Sequence, residues 1–230
     1  MKNVNVNQRT KTAILVDGGF YCRRAQAIFG DKSACDRATE LERYCLRHLN
    51  THGESSNLYR IFYYDCAPSC KRVFHPFLQQ QVDLGKSELH DWTIDFFDEL
   101  KKRRKFAIRL GKLAEEQAHY NIRPHIVKKL CNGNLQFSDL QESDFCLQIE
   151  QKGVDMKIGL DIASMAYKKQ VDQIILISGD SDFVSAAKLA RREGVDFILD
   201  PLGAPIKPDL FEHIDGLRTC DKAYTTYTHK

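Results

Sequence analysis

The 230 residues carry 34 Lys and Arg against 31 Asp and Glu, with 43% hydrophobic and 28% charged side chains and a mean hydropathy of −0.43. That balance suits one globular α/β domain, and a formal net charge of +3 is too small to establish nucleic-acid binding by itself. No apolar run exceeds strand length, which excludes a transmembrane helix, and the opening MKNVNVNQRTK lacks the apolar core of a signal peptide, so a cytoplasmic chain with its eight cysteines reduced is expected.

The first predicted strand is TAILV at 12–16, closed by Asp17, Gly18 and Gly19, where a carboxylate precedes two residues that permit a tight turn. A helix over 20–29 follows, with Arg23 and Arg24 near its start, placed either to meet phosphate or to form a solvated face. Residues 39–49 read as an amphipathic helix from Leu41, Cys45, Leu46 and Leu49. LYRIFYY at 58–64 is the next strand and again ends in an acid, Asp65. Cys66, Cys70 and His75 match no established zinc spacing.

A helix is predicted over 91–104, with Trp92, Phe96 and Leu100 on one stripe and a basic run at 101–105. That run fits a helix dipole at its carboxyl end as well as it fits phosphate. Residues 106–110 form a strand, and the weakly patterned stretch 111–148 is expected to be an insertion in a single domain covering 1–230. No repeat, heptad or low-complexity tract interrupts the chain. The next helix runs from about 151 to 169, with Asp155 in its first turn, where the dipole favours a carboxylate. Asp161 lies roughly 120° round that helix from Asp155, in a supporting position or on a solvated face.

Residues 174–177 (IILI) form an unbroken apolar, largely β-branched run, the signature of a central parallel strand buried on both faces. The chain then turns through Ser178, Gly179, Asp180, Ser181 and Asp182 into a helix striped by Phe183, Ala186, Ala187, Leu189 and Ala190, and a further strand follows. Two acids and two hydroxyls at the carboxyl end of a strand make a hard oxygen site suited to Mg²⁺ or Mn²⁺. The alternative is a turn in which Ser181 or Asp182 caps the helix, which accounts for one carboxylate but not for both. A short helix from Pro208 and a polar tail from about Lys222 complete the chain.

Asp17, Asp155 and the Asp180/Asp182 pair thus stand at strand ends or helix starts, and like charges that converge call for a divalent cation. A haloacid-dehalogenase-type phosphatase is rejected, because Gly19 and Val184 occupy the places of two acids it requires. No Walker lysine loop is present.

Taken together, ILVDGGF, FYYD, KGVDMKIGLDIA and ILISGDSDF resemble the NYN domain of LabA-like proteins, a branch of the PIN-like nuclease superfamily. The resemblance spans nearly the whole chain. It implies a three-layer PIN-like, Rossmann-like α/β fold with a mostly parallel sheet of about five strands, and phosphodiester hydrolysis, usually of RNA, with Mg²⁺ or Mn²⁺ as cofactor. It also implies Asp17, Asp155, Asp180 and Asp182 as the catalytic and metal-binding set, with Asp161 as a fifth acid. Ser178, Ser181, Lys152, Arg23 and Arg24 are the substrate-side candidates. One departure is Phe20, three residues after the first aspartate, where many relatives carry an asparagine; its loss would remove a hydrogen bond from the pocket. A module that keeps the acids but binds RNA or a protein without cutting is the competing reading, and DNA as substrate stays open.

Overall fold

The computed structural model describes residues 9–51 and 54–226, so the opening peptide at 1–8 lies outside the described residues, as does the Ser181 side chain. The elements run β1 (Lys11–Asp17), α1 (Gly18–Phe29), α2 (Ala34–Arg47), β2 (Asn50–Thr51), β3 (Glu54–Ser55), β4 (Asn57–Cys66), β5 (Arg72–His75), β6 (Gln80–Asp83), α3 (Glu88–Lys101), β7 (Phe106–Leu113) and β8 (His119–Ile122). They continue with α4 (Pro124–Cys131), β9 (Phe145–Gln148), β10 (Gln151–Lys152), α5 (Val154–Tyr167), β11 (Gln173–Ile177), α6 (Val184–Arg192), β12 (Asp196–Asp200), α7 (Pro208–Phe211), β13 (Gly216–Leu217) and α8 (Lys222–Thr226).

The main sheet has seven strands in the order β10-β7-β4-β1-β11-β12-β13. It is mostly parallel: β1 pairs with both β4 and β11, β11 with β12, and β12 with β13, all in the same direction. β10 pairs antiparallel with the end of β7, through Gln151↔Leu113 and Lys152↔Lys112. The sequence anticipates about five strands; the two extra ones, β10 and β13, are two residues long, too short for hydrophobic periodicity to reveal.

Ile174 to Ile177 on β11 are wholly buried, as are Ala13 to Val16 on β1 beside it. Burying each large aliphatic side chain is worth about 1.5–3 kcal/mol, so these two strands are the most strongly anchored backbone in the sheet. Both end at one edge, with Val16 opposite Ile177, which places Asp17 and Ser178 side by side. Gly18 starts α1 without a positive φ; its need is for space, because a Cβ there would lie 2.4 Å from the Tyr63 ring and 2.7 Å from the Tyr64 carbonyl.

The chain divides into two units. The first holds the described residues within 9–65, 95–111 and 153–226, and the second Cys66–Ile94 with Lys112–Lys152. The stretch expected as an insertion at 111–148 therefore groups with an earlier segment. The second unit contains the antiparallel pairs β5–β6 and β8–β9 and the helix α4, with His75, Tyr120 and Phe145 in ring contact.

Two further expectations change. The tail from Lys222 forms α8, which buries Tyr224 edge-on against Phe29 and Tyr44 at 5.3 Å in both cases. Four of the five basic residues at 101–105 are taken up locally: Lys101 and Lys102 pair with Asp98 and Glu99 at 2.7 Å, Arg103 pairs with Glu42, and Lys105 donates to the Leu58 carbonyl, while Arg104 is exposed. No helix among the described residues is long and apolar enough to cross a membrane.

Candidate functional site

Asp17 closes β1 and caps α1, one carboxylate oxygen accepting the Phe20 N–H at 3.1 Å and the other the Ser178 hydroxyl at 3.1 Å. Burial raises its pKa above the ordinary aspartate value; the two hydrogen bonds and the Arg23 charge oppose that rise, and the Asp180 charge adds to it. Asp17 is therefore a buried carboxylate whose hydrogen bonds and nearby arginine only partly offset its lost hydration.

Asp180 and Asp182 follow β11 in a tight turn. The Asp180 N–H donates to Ser178 Oγ at 3.2 Å, and the Asp182 N–H donates to Asp180 Oδ1 at 3.1 Å. The helix-cap alternative fails, because a 3₁₀ turn over Ser181–Phe183 intervenes and the cap of α6 is Phe183, with no side-chain bond. Neither acid is consumed by capping α6. Both are exposed.

Gly179 in this turn meets the Phe20 ring, since a Cβ there would lie 2.5 Å from it. The aromatic side chain thus packs on the backbone of the acidic turn, where the sequence suggests only a missing hydrogen bond.

Asp155 sits in the first turn of α5, after the left-handed Gly153 at φ 79°. Partial loss of hydration raises its pKa, and the charges of Asp17, Asp180 and Asp182 raise it further. Four carboxylates from three chain segments thus share one electrostatic neighbourhood. Asp161 belongs to a different arrangement: Oδ2 accepts the Tyr64 hydroxyl at 2.8 Å and faces Arg109 Nε at 3.2 Å. Burial and the Asp161 charge push the Tyr64 phenol up, so it remains a donor. Tyr64 and Arg109 escape sequence reading, although Tyr64 is flagged by its register opposite Asp17 on the neighbouring strand.

The substrate-side candidates divide. Ser178 is fully buried, and its hydroxyl joins Asp17 to the Asp180 turn, so it positions carboxylates and cannot touch a substrate. Arg24 is 7% exposed and donates twice to the Leu202 carbonyl, at 3.2 and 2.8 Å, which makes it a scaffold residue instead of a phosphate contact. Arg23, one position on, is exposed and within electrostatic reach of Asp17. Lys152 lies on β10 in the second unit, 3.8 Å from Glu150.

The donor chemistry fits a hard divalent cation: all four acids offer carboxylate oxygens, and two of them, Asp17 and Asp155, are destabilised by lost hydration and further by their neighbours' negative charge. Among the described residues, no group of three or more His, Cys, Asp or Glu is so placed that together they could hold a metal ion. Mg²⁺ is compatible with that, since it commonly takes one or two carboxylates and keeps several waters.

No curated protein matches the chain. A crystal structure of a protein of unknown function from Vibrio parahaemolyticus is similar at 15% identity, covering 97% of this chain and 98% of that one, with a TM-score of 0.46. The NYN domain model, of the PIN-like nuclease superfamily, matches residues 94–205, just under half of the chain; the span includes Asp155, Asp161, Asp180 and Asp182 but begins after β1 and Asp17, and over it the chain is similar to NYN domains.

Proposed function

We propose that the acidic edge formed by β1, α5 and the turn after β11 is the centre of a divalent-metal-dependent ribonuclease that hydrolyses phosphodiester bonds of single-stranded RNA, in a domain of the LabA-like kind. The observation that carries this reading is the placement of Asp17 beside Ser178 at the carboxyl ends of β1 and β11, with Asp180 and Asp182 in the turn that follows and the first turn of α5 bringing Asp155 within reach of their charges, at the edge of a parallel sheet where ligands of such folds bind.

Asp17, Asp155, Asp180 and Asp182 would hold Mg²⁺ or Mn²⁺, which when bound supplies Lewis acidity at the phosphate and a water of lowered pKa. The chain supplies the rest. Ser178 fixes Asp17 through one oxygen while Phe20 N–H fixes it through the other, so that carboxylate is oriented before any ligand arrives. The Asp182 N–H holds Asp180 in the same way. Arg23 offers an exposed cation for a backbone phosphate. Tyr64 and Arg109 hold Asp161, which suits it to a supporting role beside the four acids.

The test is labelled single-stranded RNA and DNA incubated with the protein in Mn²⁺, Mg²⁺ or EDTA, beside Asp180→Asn. Cleavage of RNA that needs the metal and falls at least about a hundredfold in the variant is expected. Cleavage that survives both EDTA and Asp180→Asn would sink the reading. A second reading, RNA binding without cleavage, is favoured by the open spacing of the acids and by the Phe20 ring on Gly179. It predicts retained RNA affinity with no metal-dependent product.

A further inference from the structure

The second unit contains an open cavity of about 610 Å³ with aromatic walls and a polar edge, and its lining residues all belong to that unit. This volume falls inside the roughly 300–1,000 Å³ typical of small-molecule sites. At its base is His75, 3% exposed, its ring 4.2 Å from Tyr120 and 5.4 Å from Phe145 between centroids. Phe77, in the turn between β5 and β6, lies 5.9 Å from Phe145 and is 44% exposed. The rim carries Glu142 and Ser143.

An aromatic cluster that existed only to hold β5 and β8 together would close over its rings; here one large ring stays open to solvent beside hydrogen-bonding groups. Planar, sequence-tolerant stacking surfaces of this kind receive unstacked nucleobases. The polar edge narrows the choice. The His75 Nδ1 accepts the Leu78 N–H at 3.4 Å, so the ring's N–H donor is Nε2. Glu142 is a carboxylate and, when ionised, only accepts; its charge reaches Tyr120 across the cavity lining. Guanine matches both, with O6 to accept and the adjacent N1–H and N2–H₂ to donate to two carboxylate oxygens. Uracil presents one N–H between two carbonyls and would set an oxygen against Glu142. Arg123, exposed and tied through Nε to the Ser143 carbonyl at 3.0 Å, supplies a cation for the attached phosphate.

We propose that this cavity binds a guanine base, stacked on Phe77 and Phe145 and read by Glu142. The base could come from single-stranded nucleic acid or from a free guanine nucleotide. Binding here does not depend on the acidic edge cutting anything.

The experiment measures binding of GMP, UMP, and fluorescent UUGUU and UUUUU RNA to the full chain in EDTA, by calorimetry for the nucleotides and anisotropy for the RNAs. Because no metal is present, a failure of the nuclease reading leaves the result intact. The expected outcome is that guanine-containing ligands bind at least about tenfold more tightly than their uracil counterparts. Stronger binding of UUGUU than of GMP identifies the nucleic acid as the source, and the reverse identifies the nucleotide. Phe77→Ala should weaken guanine binding at least fivefold or so, with Phe77→Trp restoring it, and Glu142→Gln should erase most of the preference over uracil. Phe77 and Glu142 are both exposed, so neither change threatens the fold. Equal affinity for guanine and uracil ligands, or affinities unchanged in both Phe77→Ala and Glu142→Gln, would overturn the proposal.

Discussion

Asp17 and Asp200 end the two strands that flank β11, and Ser178 at the tip of β11 touches both, its hydroxyl on the Asp17 carboxylate and its N–H on the Asp200 carbonyl at 3.2 Å. Their surroundings are opposite. The wholly buried Asp200 accepts the Leu202 N–H at 2.9 Å, the Thr219 hydroxyl at 2.8 Å and the Tyr44 hydroxyl, and it faces His48 Nε2 at 2.9 Å. Asp17 has two donors and two negatively charged neighbours, Asp155 and Asp180, that carry the same need. A carboxylate whose lone pairs are filled by protein donors is part of the scaffold; one left with open lone pairs among like charges is poised for an external cation. Position at the sheet edge does not distinguish the two, but donor supply does.

The sharpest way to break this comparison is Asp200→Ala. It strips Tyr44 and Thr219 of a buried acceptor and should destabilise the protein by about 3–5 kcal/mol, read as a lowered urea midpoint. A loss under about 1 kcal/mol would mean that the Asp200 network is no more structural than Asp17.

That contrast could not have been read from the sequence, where both residues are simply aspartates after apolar strands. The strands themselves were legible, because runs such as AILV and IILI can hide only in the middle of a sheet. The acids at their ends were legible for the same reason. Donor supply was not, since Thr219 and Tyr44 reach Asp200 from 19 and 156 residues away. Adjacent arginines show the same limit: Arg24 turns inward to the carbonyl of Leu202, 178 residues away, and Arg23 stays outside. α8 looked like a tail because one apolar residue, Tyr224, anchors it. The second unit was hidden because its strand pairs are each local and its two segments meet through the rings of His75, Tyr120 and Phe145, which leave no periodicity in the sequence.

Metal-linked stability sharpens the comparison at a smaller scale. Mn²⁺ at a hundred times its dissociation constant should stabilise the wild type by about 2.7 kcal/mol, through preferential binding to the folded state. Asp17→Asn and Asp155→Asn should reduce that gain in thermal melts, whereas a conservative change at Thr219, in the Asp200 network, should leave it unchanged. In EDTA, Asp155→Asn should be slightly more stable than wild type, by less than about 1 kcal/mol once solvent screening of this partly exposed group is allowed for. Identical Mn²⁺ shifts in all variants would mean that the four acids do not act as one site.

The smallest expected effect is a slope in stability with pH, measured in EDTA so that no cation intervenes. The pKa values of Asp17 and Asp155 are raised in the folded protein, by lost hydration first and by neighbouring charge as well. Between its unfolded and folded pKa, such a group binds more protons in the folded state, so unfolding free energy falls as pH rises through that window. The penalty is fully present above the folded pKa and is relieved as pH falls toward the ordinary aspartate range. Acids with depressed pKa values, such as Asp221 beside Arg47, contribute the opposite slope. The informative quantity is therefore the difference between wild type and variant. Asp17→Asn should gain on the wild type as pH rises through the folded pKa of Asp17 and then hold a constant advantage, apart from any fixed effect of the lost charge on its Phe20 and Ser178 hydrogen bonds. A difference that stays flat across the whole range would show that the Asp17 carboxylate is as well supplied with donors as Asp200, and the distinction between the two strand ends would fall.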